Sequence, residues 1–378
     1  MDYGDDLEVR PPRPRRELRL GFSTGTAAAA AAQGALWVLL GRPCPEVVEV
    51  ALPNGGRLAV PLAHHALAGD KGEAVVIKDA GDDPDVTHGA EIGVRVWHLP
   101  QDNHKPNLKF YGGTGVGLVT KPGLPVAVGE PAINPVPRRM VQRSLDHVWR
   151  QVHPDKPLSL AVEIFVPRGQ ELARQTLNPR LGILGGLSIL GTTGLVKPYS
   201  HQAYRETIAL SLKMARALMI SEVVFTTGGT SEIALQRLRP ELPKEAFVLM
   251  ADYVAFALKL AGKMGFKEIT VGAFFGKSLK MALGFGQTHA SQGLADLAEL
   301  GRWTWQRTGN KLLVEQVSRA NTAREALELL LEAQAHQVLA EVGSRQLLHL
   351  RHLAGPHPRL TAVILNFDGQ PLWQRTIC

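Results

Sequence analysis

The sequence predicts a chain of mixed α/β and α+β class, with a strand-rich N-terminal domain and a C-terminal three-layer α/β domain built on a mainly parallel sheet. Three observations carry this expectation. The 378 residues exceed the roughly 100–200 of one ordinary domain, and an apolar share of 45% can fill two cores. From Glu46 to Tyr111, short β-branched runs are separated by turn residues. From Ile183 onward, strand-like runs alternate with helix-length segments, the pattern of right-handed βαβ units covered on both faces.

Residues 1–17 mix Asp, Glu, Arg and Pro with little hydrophobicity, which predicts a disordered arm. Next, Ser23-Thr24-Gly25-Thr26 and six consecutive alanines read as a helix capped by Ser23 or Thr24, closed by Gly41 and stopped by Pro43. Its small face suits close packing on a sheet. Strands are expected at Val47–Leu52, Leu58–Leu62, Ala74–Lys78, Ile92–Leu99 and Leu108–Tyr111, with Asn54-Gly55 as a hairpin turn. A helix around Pro137–Gln151 and a strand around Leu158–Val166 complete the first domain, 18–178. In the second, 179–378, strands at Ile183–Leu190, Glu222–Thr227 and Glu268–Phe274 alternate with helices at Gln202–Met219 and Lys244–Met264. A helix at Thr322–Val342, a strand near Ala362–Phe367 and the Asp368-Gly369 turn close the chain. A nucleotide-type ligand belongs at the carboxyl edge of such a sheet.

Lys and Arg number 42 against 35 Asp and Glu, a net charge of +7, which favours anionic partners. The basic residues are scattered, aromatics are 6%, and neither an RNA-binding signature nor zinc-finger spacing occurs, so nucleic acid is not expected. Only Cys44 and Cys378 are present, too few for a disulfide framework, which points to a reducing compartment and hence the cytoplasm. The longest apolar stretch, Thr26–Leu40, falls short of the roughly 20 residues a membrane span needs, and no membrane role is expected. Oligomeric state is open, a homo-oligomer included.

Four Thr/Gly turns recur: Ser23–Thr26, Gly112–Gly117, Gly191-Thr192-Thr193-Gly194, and Thr226-Thr227-Gly228-Gly229 followed by Thr230-Ser231-Glu232. Glycine admits close backbone approach and threonine adds uncharged donors, which suits a cofactor's polar groups; ordinary tight turns have the same composition. The turns at 191 and 226 each follow an apolar strand and precede a helix. None matches the dinucleotide fingerprint. Gly272-Ala273-Phe274-Phe275-Gly276-Lys277-Ser278 has three residues between its glycines where the phosphate-cradling loop needs four, which lowers an ATP or GTP reading. Asp79, Asp82, Asp83, Asp85 and His88 crowd within ten residues. A divalent-metal site, a general base with its orienting partner, and surface Asx-turns all remain open, although the spacing is that of neither a calcium loop nor a zinc site. His289, in Gln287-Thr288-His289-Ala290-Ser291, is a second candidate proton carrier.

The segments Gly21–Thr26 with its alanine helix, Lys78–Gly89 with Ala90-Glu91-Ile92, Gly112–Pro122, Gly129–Arg138, Thr176–Ile183 and Ser188–Gly194 together resemble the cobalt-precorrin-5B C-1-methyltransferases of anaerobic cobalamin synthesis. The likeness covers most of residues 18–300 in the family's order. Ala27 stands where the family usually has Cys, so a thiol there is not required, and Gln287 stands where the family often has Asn. The resemblance implies methyl transfer from S-adenosylmethionine to a ring carbon of an anionic cobalt-tetrapyrrole. Cobalt then arrives with the substrate, and no protein-bound metal is expected. It implies a catalytic set drawn from Asp79, Asp82, Asp83, Asp85, His88 and His289, and ring-carboxylate partners at Lys78, Lys121, Arg138, Arg180 and Lys197. The donor is expected over Gly191–Gly194 and Thr226–Gly229, with Glu232 accepting from its ribose. The alternatives are a nucleotide-binding ATPase or kinase-like protein using Gly272–Ser278, and a non-catalytic tetrapyrrole binder.

Overall fold

The computed structural model of the protein describes residues 18–100, 106–290 and 293–378; the arm expected over 1–17 lies outside them. The chain divides into two compact units. Unit 1 runs to Val119 and adds Gly129–Pro179 and Ile183–Ser200; unit 2 comprises Thr120–Val128, Arg180–Gly182 and His201–Cys378. Residues 183–200, grouped by the sequence pattern with the second domain, pack in unit 1, because their backbone bonds run to the 115–133 segment and to the first helix, as described below.

In unit 1, β1 (Gly21–Phe22) leads into helix α1 (Thr24–Leu39), capped by Ser23, whose Oγ accepts from Thr26 N. There follow the hairpin β2 (Val47–Ala51) and β3 (Arg57–Pro61), then β4 (His64–Ala68), β5 (Lys71–Ile77), β6 (Glu91–His98), β7 (Asn107–Gly112) and β8 (Leu118–Val119). Helix α2 (Pro135–Val152), β9 (Ser159–Phe165), α3 (Gly169–Ala173), β10 (Ile183–Leu184) and β11 (Leu195–Val196) complete the unit. The main sheet has the order β4-β5-β6-β9-β7, antiparallel except for the parallel β7–β9 pair. On β5 and β6 the residues facing α1, Gly72, Ala74 and Val76 and then Ile92, Val94 and Val96, alternate with less buried ones except at Gly93, which Phe165 covers from the other face, the period of two expected for a sheet with one covered face. Ala27 through Ala32 are fully buried, because α1 lies against the sheet at a separation only small residues allow. A Cβ on Gly72 would stand 2.0 Å from the Ala35 carbonyl oxygen. The strand expected over Ile183–Leu190 shortens to β10: Gly185 turns at φ +80°, and Leu187 and Ile189 instead donate to Gly115 and Ala132.

Unit 2 begins with α4 (His201–Ala217), β12 (Glu222–Thr226), α5 (Gly229–Leu238), a 3-10 turn at Lys244–Ala246, β13 (Phe247–Leu249), α6 (Val254–Lys263) and β14 (Glu268–Phe274). Helices α7 (Phe275–Ala282), α8 (Leu297–Thr308), α9 (Lys311–Arg319), α10 (Ala323–Glu332) and α11 (His336–Ala354) precede β15 (Arg359–Leu365) and β16 (Pro371–Ile377). The sheet order is β13-β12-β14-β15-β16, parallel except for the edge strand β16. Val223, Phe225, Ile269 and Val271 face helices α4, α6 and α11, whereas Val224, Val363 and Leu365 face α5, which makes three layers. The single helix expected over Lys244–Met264 is interrupted: Phe247-Val248-Leu249 pairs with Val224–Thr226, and Ala251 turns at φ +50° before α6. No described helix is long and apolar enough to cross a membrane.

Candidate functional site

The acidic segment is a folded connection between β5 and β6 whose carboxylates are largely occupied by the protein itself. Asp79 forms a two-pronged pair with the Arg19 guanidinium and accepts from Gly81 N at 2.9 Å. The Arg19 hydrogen bonds hold its pKa at about 2 against the opposing effect of burial. Asp82 accepts from Arg19 N at 2.8 Å, and Asp83 from Tyr199 N at 2.9 Å. Asp85 receives the Lys78 ammonium at 2.7 Å on Oδ2 and Thr87 N and Oγ1 on Oδ1. Burial pushes the Asp85 carboxyl up, and Lys78 with the Thr87 donors more than reverses it. Lys78 is not presented to a ligand: its side chain is 1% exposed and points beneath the loop. Asx-turn chemistry therefore accounts for much of this segment.

His88 is exposed, and its Nδ1 accepts from Ala80 N at 3.1 Å. That bond places the proton of the neutral ring on Nε2, as a donor. A cleft of about 190 Å³ opens there, lined by His88, Gly89, Ala90, Glu91, Val166, Arg168 and Leu172. Arg168, from the β9–α3 connection, and Leu172, in α3, escape any reading by spacing because they are 80 and 84 positions from His88.

The Gly191–Gly194 turn sits on the N-terminus of α1. Thr24 Oγ1 accepts from Leu190 N, Gly25 N donates to Leu190 O, Ser23 N donates to Gly194 O, and Thr26 Oγ1 donates to Gly194 O at 2.6 Å. The polar groups of Ser23–Thr26 are thus spent on this turn, and Gly191 and Gly194 are its closely packed inner side. Thr192 and Thr193 are exposed. The turn follows a loop and precedes β11, so the strand-turn-helix setting expected at 191 is absent.

That setting is present at 226. Thr226 ends β12, Thr227 follows it, and Gly228 and Gly229 open α5. A Cβ on either glycine would meet nothing within 4 Å. The Thr227 and Gly228 amides both donate to Ser231 Oγ, which fixes the turn. Beside it, Lys277 Nζ lies 3.4 Å from Thr227 O and 2.9 Å from Asp252 Oδ1, and Thr288 Oγ1 donates to the same Asp252 oxygen at 2.7 Å. Three neighbouring strand ends, those of β12, β13 and β14, are so joined through side chains. Asp252 was hidden inside a segment read as helix, and Lys277 was visible only as part of an incomplete phosphate loop. His289 is exposed. Burial pushes the Asp252 carboxyl up, and the hydrogen bonds from Thr288 and Lys277 more than reverse it.

Glu232 is engaged, with Arg180 Nη1 at 2.8 Å and Thr226 Oγ1 at 3.5 Å on one oxygen and Gln236 on the other. Arg180 also donates to Phe247 O. Lys121 pairs with Glu245, and Arg138 donates to Ile133 O and reaches Glu130 at 3.4 Å. Lys197 is exposed. Of the expected site residues, Lys78, Asp79, Asp82, Asp83, Asp85, His88, Arg138, Gly191–Gly194 and Lys197 lie in unit 1, whereas Lys121, Arg180, Thr226–Gly229, Glu232 and His289 lie in unit 2. Among the described residues, no group of three or more His, Cys, Asp or Glu has a metal-holding arrangement.

These features define a two-unit protein, a half-covered mixed sheet in one unit and, in the other, a doubly wound sheet with an open glycine turn at the end of a parallel strand. The CbiD family model matches residues 12–198, and that of the CbiD C-terminal domain matches 287–376. A cobalt-precorrin-5B C(1)-methyltransferase from Nitratidesulfovibrio vulgaris is 44% identical over 375 residues, covering 96% of this chain and 95% of that protein. One from Thermus thermophilus is 44% identical over 358 residues, covering 95% and 94%. A cobalamin biosynthesis protein from Archaeoglobus fulgidus, solved by crystallography, aligns with 28% identity and a TM-score of 0.38 over 67% of this chain and 76% of that one. The chain belongs to the CbiD family. The likeness runs past residue 300, beyond the motifs that carry the resemblance.

Proposed function

We propose that this protein transfers a methyl group from S-adenosylmethionine to ring carbon C-1 of cobalt-precorrin-5B, giving cobalt-precorrin-6A in anaerobic cobalamin synthesis, in the cytoplasm. The observation that carries this reading is the 44% identity, over nearly the whole of both chains, to a relative named for that reaction. The ring carbon displaces the donor's sulfur, so the new C–C bond forms as the C–S bond breaks and S-adenosylhomocysteine leaves. Reaction requires methyl and carbon held about 3–3.5 Å apart with water excluded. No metal is demanded of the protein, since cobalt comes with the ring.

The donor fits the turn at Thr226–Gly229. Gly228 and Gly229 leave open space where side chains would stand. In unit 1, the cleft at His88 offers an Nε2–H donor to an anionic ring, and Arg168, held in a two-pronged pair with Glu171, would add its guanidinium on exchange of that partner. Asp82 and Asp83, each tied to the backbone through one oxygen, are the carboxylates we assign to proton handling. In the same unit, exposed Lys197, and Arg138 after exchange of its present partners, would meet the ring's acetate and propionate arms.

The test is incubation of the full chain with S-adenosylmethionine and cobalt-precorrin-5B, read by mass spectrometry. A gain of one methyl mass on the tetrapyrrole, with S-adenosylhomocysteine in equal amount, is expected. Binding of the ring without mass gain would leave a carrier, and tight binding of ATP in place of S-adenosylmethionine would leave a nucleotide-dependent protein.

A further inference from the structure

The winding of the unit 2 sheet reverses between β12 and β14: from β12 the chain goes outward to β13, and from β14 it goes outward on the other side to β15. In open parallel sheets, ligands lie outside the strand ends at such a reversal. An acid about 20 residues after the first strand-helix turn, at the end of the next strand, takes the ribose hydroxyls. Glu232 does not stand there. It lies in the first turn of α5, and both its oxygens are engaged by Arg180, Thr226 and Gln236. Asp252 does stand there, 24 residues after Gly228 and just beyond β13.

Its surroundings suit the task. Thr288 Oγ1 at 2.7 Å and Lys277 Nζ at 2.9 Å both approach Oδ1, and Thr288 N donates to the Asp252 carbonyl at 3.1 Å. Two donors on one oxygen fix the plane of the carboxylate, and its second oxygen, Oδ2, is the one this reading gives to a ligand hydroxyl. Lys277 also touches Thr227 O, so the acid is tied to the turn that would carry the rest of the nucleoside. The side chain keeps 21% exposure, enough to be reached.

We infer that Asp252, and not Glu232, accepts the ribose hydroxyls of the methyl donor, with Lys277 and Thr288 as its positioning residues. This rests on S-adenosylmethionine being the donor, and the experiment separates the two claims. The full chain is titrated calorimetrically with S-adenosylhomocysteine and with its 2′-deoxy and 3′-deoxy analogues, for wild type, Asp252→Asn and Glu232→Gln. Wild type is expected to prefer the ribose form by tenfold or more, the worth of a hydrogen bond to a charged group. Asp252→Asn should cut that preference below threefold, mainly by weakening the ribose form, while Glu232→Gln keeps it.

A preference that survives in Asp252→Asn, or that disappears in Glu232→Gln alone, overturns the inference. So does a wild type that binds all three ligands equally. A wild type that binds none of them removes the donor reading itself. Should Asp252→Asn fail to give a cooperative melt, Thr288→Val and Lys277→Met decide: each removes one bond to Oδ1, and an undiminished ribose preference in both refutes the role of Asp252.

Discussion

Removing the Asp85 carboxylate should destabilise unit 1 far more than removing the lysine it pairs with. The Lys78 side chain is 1% exposed and its ammonium meets Asp85 Oδ2 at 2.7 Å, whereas the Asp85 side chain is 26% exposed. Asp85→Ala strands a cation that water cannot reach, at a cost of about 3–5 kcal/mol. It also frees two donors of Thr87. Lys78→Met leaves a carboxylate that water and Thr87 can still satisfy and puts an apolar chain in a buried position, at about 1–2 kcal/mol. For a unit of this size, each kcal/mol moves the melting midpoint by roughly 2–4 °C, so Asp85→Ala should lower it by about 6–20 °C. Circular dichroism melts of both single variants and of Lys78→Met/Asp85→Leu measure this, and the double variant should recover most of the loss because it buries no charge. The depressed Asp85 pKa adds a pH signature: the stability from this pair is full above the unfolded carboxylate value, about 3.9, and is lost as pH falls through the lower folded value. A Lys78→Met variant less stable than Asp85→Ala, or an Asp85→Ala midpoint within 2 °C of wild type, would show that the pair does not carry the loop.

Gly229→Val should leave the melting midpoint within about 2 °C, since its Cβ enters open space, yet weaken S-adenosylhomocysteine binding at least tenfold by isothermal titration; unchanged affinity would remove the donor from the 226 turn. Gly72→Ala should cost about 1–3 kcal/mol in denaturant unfolding, because its Cβ would stand 2.0 Å from the Ala35 carbonyl oxygen. Asp82→Asn or Asp83→Asn keeps the acceptor that holds Arg19 N or Tyr199 N, so turnover should fall much more than donor affinity; equal losses of both would sink the proton-handling assignment. Burial, then the charge of His352, holds the His349 pKa down. The unfolded chain therefore binds more protons below about pH 6.5, stability declines as pH drops from there toward the folded value, and His349→Phe should flatten that slope in melts between pH 7.5 and 5.

Much of the fold is legible in the sequence because its signals are local. The alternation on β5 and β6 and the alanine run of α1 each record one neighbour, the sheet face that α1 covers. β13 is not legible in this way: Phe247-Val248-Leu249 is only three residues long and sits between segments of helical period. It becomes a strand because β12 offers it a parallel partner. The edge strand β16 mixes half-exposed Leu372 and Trp373 with polar residues, so its pattern is weak. The same division holds at the candidate site. The crowding of Asp79–Asp85 is visible, but its partners Arg19 and Tyr199 are 60 and 116 positions away, and no spacing rule reports them. Asp252 was obscured twice, by the helical pattern around it and by the distance to Lys277 and Thr288.

The seat of α1 on the Leu190–Gly194 turn bears on how the chain reaches this state in a cell. Thr24 and Thr26 find their partners 166 and 168 positions downstream. At about 5–20 residues per second of synthesis, the alanine helix waits roughly 8–34 s on the ribosome before those partners have been made. In that interval β5 and β6, complete by residue 98, can already cover the small face of the helix, but the polar groups at its amino end still lack their partners. Slowed elongation before residue 194 should therefore lower the soluble yield of this protein more than that of one whose first helix finds all its partners in sequence already made.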